Sequence, residues 1–155
     1  MPKFLRAVRL DDSDEHLFKT HGAVADGAWI VSGGYAVCDF AHAPKCDPRC
    51  YCESSFLALQ GRSRCSIAAV VEVTEEELAA HTDALAWFLV KGWGAPSWEV
   101  ARRVAEKEVR HTADVCETLS PDVWITVKRT PSEDGARLDE QYAVYDRLLI
   151  GSHKL

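Results

Sequence analysis

Apolar and polar positions divide the chain into short strand-like runs and two long helix-like runs. The strand-like runs are rich in β-branched and aromatic residues and are separated by turns that contain Gly, Pro or Asp. They cover residues 3–10, 28–31, 35–40, 55–59, 66–73, 122–128 and 141–145. The acidic stretch 11–15 after the first run predicts a short helix, because Asp and Ser favour a helix N-terminus.

The two helix-like runs follow one another directly. The first is predicted to span about residues 74–90, because Thr74 and Glu77 have capping-box spacing and Gly92 follows the last periodic residue. The second, which begins after a proline, is predicted to span about residues 97–119. Since the link between them is short, we expect an antiparallel helical hairpin. Two i,i+4 ion pairs are predicted on the solvated side of the second helix: Glu99–Arg103 and Glu106–Arg110.

The order of the runs, βαββββααββ, contains no regular β-α-β alternation. Strands joined by short turns pair as hairpins, and we expect this around Gly33–Gly34, around 60–64 and around 130–135. The sequence therefore predicts an α+β fold, a largely antiparallel sheet of about six to seven strands with a helical hairpin packed on one face. The length favours a single domain over residues 1–155.

Charge and hydropathy argue against two classes of partner. The formal net charge is −6, with no cluster of Lys and Arg in the sequence, so we expect no nucleic-acid partner. No uncharged apolar run approaches the length of a membrane span, and the N-terminus lacks the apolar core of a signal peptide. We therefore expect a cytoplasmic protein with no membrane partner.

The segment 41–52 has no helix or strand pattern, and it concentrates potential metal ligands. His42, Cys46, Cys50 and Cys52 are separated by three, three and one residues. Thiolate and imidazole are the usual ligands of zinc, and four of them in tetrahedral geometry make a closed structural site. Because a reducing cytoplasm disfavours disulfides, the cluster predicts a zinc-binding loop that shapes the protein without performing its chemistry.

Two alternatives stay open for this loop. It contains no Cys-x-x-Cys pair, so free thiols or a disulfide or redox pair are also consistent with its spacing. Cys38 is a reserve ligand from the preceding strand. Cys65 is not expected to join, because a hairpin of the two flanking strands would separate it from Cys52 by roughly 20–25 Å. Cys116 is expected to fill the core.

A second candidate site lies on the helical hairpin. Glu108 falls in the middle of the apolar arc of the second helix, where a carboxylate is costly unless it is paired, protonated or metal-bound. His111 lies one turn further on, and the antiparallel register brings His81 level with both. Glu108, His111 and His81 are therefore the candidate catalytic residues, an acid–base group in a pocket under the hairpin. Alternatively, each is a buried polar group satisfied by its neighbours.

Two classes of function follow from these patterns. In the first, which we favour, the protein is a small enzyme or ligand-binding protein that uses this pocket for a small molecule. In the second, it is a non-enzymatic adaptor that binds another protein through the Cys-rich loop or the Trp-rich tip of the hairpin. A pocket lined by the titratable side chains would favour the first, and an exposed patch at Trp93 and Trp98 the second. The sequence predicts neither the substrate nor the oligomeric state.

Overall fold

The described strands and helices are those of an α+β protein, and most of them lie where the sequence predicts them. The predicted strand over 35–40, and with it the predicted hairpin around Gly33–Gly34, lies outside the described residues, and the short strand over 64–65 was not predicted. The computed structural model describes residues 1–19, 22–34, 54–131 and 138–146. The strands are β1 (Lys3–Val8), β2 (Trp29–Val31), β3 (Phe56–Ala58), β4 (Arg64–Cys65), β5 (Ile67–Glu72), β6 (Trp124–Pro131) and β7 (Leu138–Tyr145). The helices are α1 (Ser13–Leu17), α2 (Glu75–Lys91) and α3 (Trp98–Cys116).

The described strands form one antiparallel sheet in the order β4-β3-β2-β1-β5-β6-β7. β4 and β5 belong to one segment that bends at Ser66, and they pair with different strands: β4 with β3, and β5 with β1. A single segment thus joins the two outer strands of the β1–β2–β3 meander, and the sheet curls into a half-barrel. The predicted α+β class, with a largely antiparallel sheet and a helical hairpin, is confirmed.

A hairpin does form around 60–64, but β3 pairs there with β4, and the predicted pairing of the runs 55–59 and 66–73 is wrong. β5 pairs with β1 along its whole length, so only the two residues of β4 are left to pair with β3. Cys65 consequently lies opposite Phe56, at the start of β3 and not at the far end of a long hairpin. Cys65 is fully buried there. Its place in the core therefore does not depend on the predicted separation of Cys65 from Cys52.

The two long helices form the predicted hairpin, and the first begins with the predicted capping box. Thr74 Oγ1 accepts a hydrogen bond from the Glu77 backbone N–H, and the Glu77 carboxylate accepts one from the Thr74 N–H, each at 3.0 Å. Ser97 Oγ accepts a hydrogen bond of 3.2 Å from a backbone N–H in the first turn of α3. α3 ends at Cys116, before the predicted Leu119.

Alternate residues of the strands enter two apolar clusters, as expected for a sheet that is covered on both faces. Phe4 and Leu5, neighbours on β1, belong to different clusters. The cluster between the sheet and the helical hairpin includes Phe4, Val31, Leu57, Leu85, Leu89, Ala101, Ala105 and Val109. The other includes Leu5, Ile30, Phe56, Ala68, Val70, Cys116, Ile125 and Val127, which confirms the predicted core position of Cys116. Neither long helix of the described chain has an apolar stretch that could cross a membrane.

Candidate functional site

A fully buried arginine organises the polar side chains at one end of the sheet. Arg129 of β6 is 0% exposed and lies directly opposite Glu140 of β7. Its Nε donates a hydrogen bond of 2.6 Å to Glu140 Oε2. Nη1 donates to the carbonyl oxygen of Ser55 at 2.7 Å, and Nη2 donates to the carbonyl oxygen and Oγ of Ser32 at 2.7 and 2.8 Å. A buried charge is tolerated when it is paired and hydrogen-bonded, and these contacts meet both conditions.

The curl of the sheet makes these contacts possible. Ser32 directly follows β2, whereas Arg129 lies on β6, which is separated from β2 by β1 and β5. In a flat sheet the two strands would be roughly 14 Å apart, at about 4.8 Å per neighbouring pair. The hydrogen bonds from Arg129 to Ser32 therefore require that β6 bends back toward β2. Gly34 completes the enclosure, because a Cβ atom at that position would overlap the Arg129 side chain.

The groups around Glu140 keep it ionised. Burial alone would raise its pKa, but the hydrogen bonds and positive charges of His111 and Arg129 lower the pKa to about 2. Ser32 Oγ donates a hydrogen bond of 3.1 Å to Glu140 Oε2, and the Tyr142 hydroxyl lies 3.3 Å from the same Oγ. Burial, together with the negative charge of Glu140, raises the pKa of Tyr142, so its phenol stays neutral.

His111 connects this buried cluster to the surface of α3. Its Nε2 lies 2.6 Å from Glu140 Oε1, and its side chain is 23% exposed, compared with 11% for Glu140. Burial acts to lower the pKa of His111, but the hydrogen bond to Glu140 and the charges of Glu140 and Glu108 raise it above its ordinary value. The imidazolium therefore persists to a higher pH than it does in an unfolded chain.

Glu108 is fully buried, as the helical periodicity predicts, and it belongs to the same electrostatic cluster. Burial opposes the charged forms of His111 and Arg129, but the negative charges of Glu140 and Glu108 raise both pKa values. Thr112 Oγ1 accepts a hydrogen bond from the Ser32 N–H and donates one to the Glu108 carbonyl oxygen, both at 2.9 Å. These bonds attach α3 to the end of β2 beside the cluster.

His81 lies in a different environment from Glu108 and His111. Its ring stacks on Phe4 at a centroid distance of 4.8 Å and contacts Trp29 at 4.5 Å. Within the described residues its buried Nε2 has no hydrogen-bond partner. Burial lowers the pKa of His81, with smaller effects from Glu77 and Arg6. Of the three candidate catalytic residues, the structure thus brings Glu108 and His111 into one cluster and leaves His81 in another.

A cleft of about 430 Å³ runs along the exposed face of α3 and reaches His111. The other described residues of its lining are all charged: Arg103, Glu106, Lys107, Arg110 and Asp114. Its volume is in the range of small-molecule sites in proteins. A molecule in the cleft would meet the buried Glu140–Arg129 pair through His111.

Sequence reasoning missed the residues that hold His111 in place, Arg129, Glu140 and Ser32. One signal was present: Arg129 continues the alternation of Ile125 and Val127 along β6, which places it on a buried face. Glu140 carries no such signal, because its position depends on the β6–β7 register and on the curl of the sheet.

The predicted zinc ligands His42, Cys46, Cys50 and Cys52 lie outside the described residues, as does Cys38. Among the residues that the structure does describe, no group of three or more His, Cys, Asp or Glu side chains is arranged to hold a metal ion. The zinc loop therefore stays a prediction.

The tip of the helical hairpin is only partly buried. Trp98 is 46% exposed, and Trp87 of α2 is 53% exposed. Trp93, in contrast, lies under the Arg62 guanidinium, which is 4.5 Å from the centroid of its ring, and its Nε1 is buried. Arg62 also donates a hydrogen bond to the Gly92 carbonyl oxygen, so this side of the tip is attached to the turn before β4.

Fold and site together define an α+β protein with a curled antiparallel sheet and a histidine–carboxylate pair at a helix-side cleft. The chain belongs to a family of unknown function, DUF6505, and the match covers residues 1–148. No curated protein matches it, and no solved structure matches it.

Proposed function

We propose that the protein binds a small molecule in the cleft along α3 and that His111 contacts this molecule. The observation that carries the proposal is the 2.6 Å contact between His111 Nε2 and Glu140 Oε1, made by a histidine that also lines the cleft. A histidine held by a buried carboxylate at the wall of a cleft is typical of general acid–base sites. The cleft volume of about 430 Å³ supports a ligand the size of a metabolite.

The chemistry that this arrangement supports is proton donation by His111. Because Arg129 helps to hold Glu140 as a carboxylate, the proton of the pair resides on the imidazole. A ligand group that gains negative charge would be stabilised by the nearby imidazolium and could receive the proton of Nδ1, while the Nε2 proton stays hydrogen-bonded to Glu140. Glu140 and Arg129 are then positioning residues, since they act on the ligand only through His111.

Glu108 and His81 have different places in the proposal. The charge of Glu108 acts on His111, so we assign it a positioning role as well. His81 contacts Phe4 and Trp29 in the core between the sheet and α2, and we assign it no part in the chemistry.

A screen of small molecules by NMR tests the proposal. Fragments of every charge type are added to isotope-labelled protein, and the imidazole signals of His111 are followed. We expect a subset of fragments to shift these signals and to lose their binding in His111→Ala. The matched control is His16→Ala, which removes an exposed histidine of α1 that pairs with Asp12. If no fragment shifts His111, or if binding survives His111→Ala, the proposal is wrong.

Exposed tryptophans favour a second candidate function, an adaptor that binds another protein through the tip of the hairpin. The support is the exposure of Trp87 and Trp98, 53% and 46%. A photo-crosslinking residue at position 98 should then capture one specific partner, whereas the same residue at the exposed position 128 should not. Equal capture from both positions would contradict the adaptor function.

We keep the structural zinc loop and the cytoplasmic location as part of the proposal. The ligands would be His42, Cys46, Cys50 and Cys52, and support comes from their spacing. Elemental analysis of purified protein should give about one zinc per chain. Cys50→Ser should lose the metal and Cys65→Ser should retain it, whereas a zinc content near zero in the unmodified protein would contradict the loop.

A further inference from the structure

α3 presents a stripe of positive charge along the cleft. Arg103, Lys107 and Arg110 are spaced four and three residues apart, which places them on one face of the helix, and His111 follows. From Arg103 to His111 the helix advances about 12 Å, at about 1.5 Å per residue. The stripe is notable because the chain as a whole has a formal net charge of −6.

The two acids of the described lining form no ion pair with this stripe. Glu106 accepts a hydrogen bond of 3.2 Å from Arg102 Nε, and the ion pair with Arg110 that its spacing predicts is not formed. Arg102 also pairs with Asp83 of α2, which lies outside the cleft lining. Within the described part of the chain, no ion pair involves Arg103, Lys107 or Arg110.

An unpaired stripe of this kind is unfavourable for the helix that carries it. Like charges three and four residues apart repel one another and weaken a helix, whereas alternating signs would support it. Asp114, one turn beyond Arg110, is the one carboxylate of the described lining that has no ion pair with an arginine. Local arrangements that oppose stability are expected where function requires them.

We propose that the cleft holds its ligand by an anionic group, a phosphate ester or a carboxylate, bound by Arg103, Lys107 and Arg110. Guanidinium groups match such oxyanions with parallel N–H donors, and the lysine adds a third positive charge. This inference rests on the proposed function and adds the charge of the ligand to it. His111 lies at the end of the stripe, and because its Nε2 faces Glu140, its Nδ1–H then donates the hydrogen bond to the anion or to an atom next to it.

A series of ring compounds of similar shape and different charge tests the inference. Phenyl phosphate, benzoate, benzamide and benzamidine are titrated separately into labelled protein, with the signals of His111 and of the arginine Nε–H groups as readout. We expect phenyl phosphate to bind most tightly, benzoate next, and benzamide and benzamidine much more weakly. Added salt should weaken the binding of the two anions, because the positively charged side chains of the stripe are exposed to solvent. The order of the two anions distinguishes a phosphate site from a carboxylate site.

A matched pair of triple variants completes the test. The first triple variant carries Arg103→Gln, Lys107→Gln and Arg110→Gln. It should lower the affinity for the more tightly bound anion by about tenfold or more, because it removes three charge contacts at the surface. The control removes the same charge elsewhere, through Lys19→Gln, Lys91→Gln and Lys128→Gln, and should change the affinity by less than about twofold.

The outcomes separate this inference from the proposed function. If benzamide or benzamidine shifts His111 as strongly as the anions do, the cleft binds ligands but the anionic selectivity is wrong. The inference is likewise wrong if both triple variants weaken the anion equally. If none of the four compounds shifts His111 while other fragments do, the inference fails and the proposed function stands. If no compound of any charge shifts His111, both fail.

Discussion

His81 and His111 lie on the two helices of one hairpin, yet the protein shifts their pKa values in opposite directions. Burial lowers the pKa of His81, whose ring lies against Phe4 and Trp29. Burial also acts to lower the pKa of His111, but there Glu140 outweighs it and the pKa is raised. Burial is therefore common to both histidines, and the anchored carboxylate distinguishes them.

The difference shows what a buried carboxylate needs before it can keep a histidine charged. Glu140 does this because the hydrogen bond to His111 and the charge of Arg129 keep it ionised despite burial. Arg129 is in turn fixed by the carbonyl oxygens of Ser32 and Ser55. The charges that act on His81, those of Glu77 and Arg6, have opposite effects on its pKa.

Arg129→Met should have the largest effect on stability. It leaves the Glu140 charge in a buried site without its arginine partner, and we expect a loss of about 3–5 kcal/mol in the free energy of unfolding, measured by urea denaturation. Arg102→Met is the control: it removes an exposed arginine that pairs with Asp83, and should cost less than about 1 kcal/mol. Similar losses in the two variants would show that the buried cluster does not stabilise this end of the sheet.

Gly34→Ala should displace the Arg129 guanidinium, because the added methyl group overlaps it. Overpacking of this kind destabilises by about 1–3 kcal/mol, and the pKa of His111 should fall as Glu140 loses its anchor. Gly27→Ala is the control for the pKa of His111. Its φ of +81° disfavours alanine, so it also costs stability, but no atom lies within 4 Å of the new methyl group and the pKa of His111 should not change. If the pKa of His111 is unchanged in Gly34→Ala, the position of Arg129 does not influence the pKa of His111.

The substitutions His81→Phe and His111→Phe should change the free energy of unfolding in opposite directions. At position 81 phenylalanine removes a buried Nε2 that has no partner among the described residues, so we expect a gain of about 1 kcal/mol in unfolding free energy. At position 111 it removes the partner of Glu140, so we expect a loss of about 1–3 kcal/mol. The two variants are compared by thermal and urea denaturation at pH 7. A loss of equal size at both positions would show that the two histidines do not differ in the contribution of their side-chain partners to stability.

The pH dependence is the smallest effect and the most direct comparison. Titration by NMR should place the pKa of His111 above 6.5 and that of His81 below it. The raised pKa of His111 stabilises the fold below about pH 6.5, and this contribution is lost as the pH rises through its folded pKa. The lowered pKa of His81 has the opposite effect. It disfavours the folded state at low pH, so stability is lost as the pH falls from about 6.5 through the folded pKa of His81.

Removing the carboxylate tests the cause of this difference. Glu140→Gln should lower the pKa of His111 and leave that of His81 unchanged, because Glu140 contributes to the first and not to the second. Equal shifts at both histidines would indicate a general loss of structure, which the amide spectrum of the variant would reveal independently.

Local features of the fold were predictable from the sequence, and features that depend on distant partners were not. The Thr74–Glu77 capping box and the burial of Glu108 follow from spacing along one helix, and the structure contains both. The bend at Ser66 gives one segment two different partners, which no pattern in residues 55–73 specifies.

The candidate site illustrates the same limit. The spacing of Glu108 and His111 on one helix was sufficient to bring them together. The orientation of His81 is set by the packing of α2 against Phe4 and Trp29, and a register argument along the hairpin does not include that rotation. Glu140 reaches His111 only because the sheet curls, so it could not be found without the fold.

The bend at Ser66 also bears on how the protein avoids aggregation. Edge strands offer unpaired backbone groups to other chains, and short or covered edges reduce this hazard. On the β4 side, the Arg64 N–H donates to the Gly22 carbonyl oxygen at 2.9 Å, and the Val24 N–H donates to the Arg64 carbonyl oxygen at 3.0 Å. Of the described strands, β7 is then the long edge, and the exposed Asp139 on it is the kind of charged residue that disfavours pairing with the edge of a second copy.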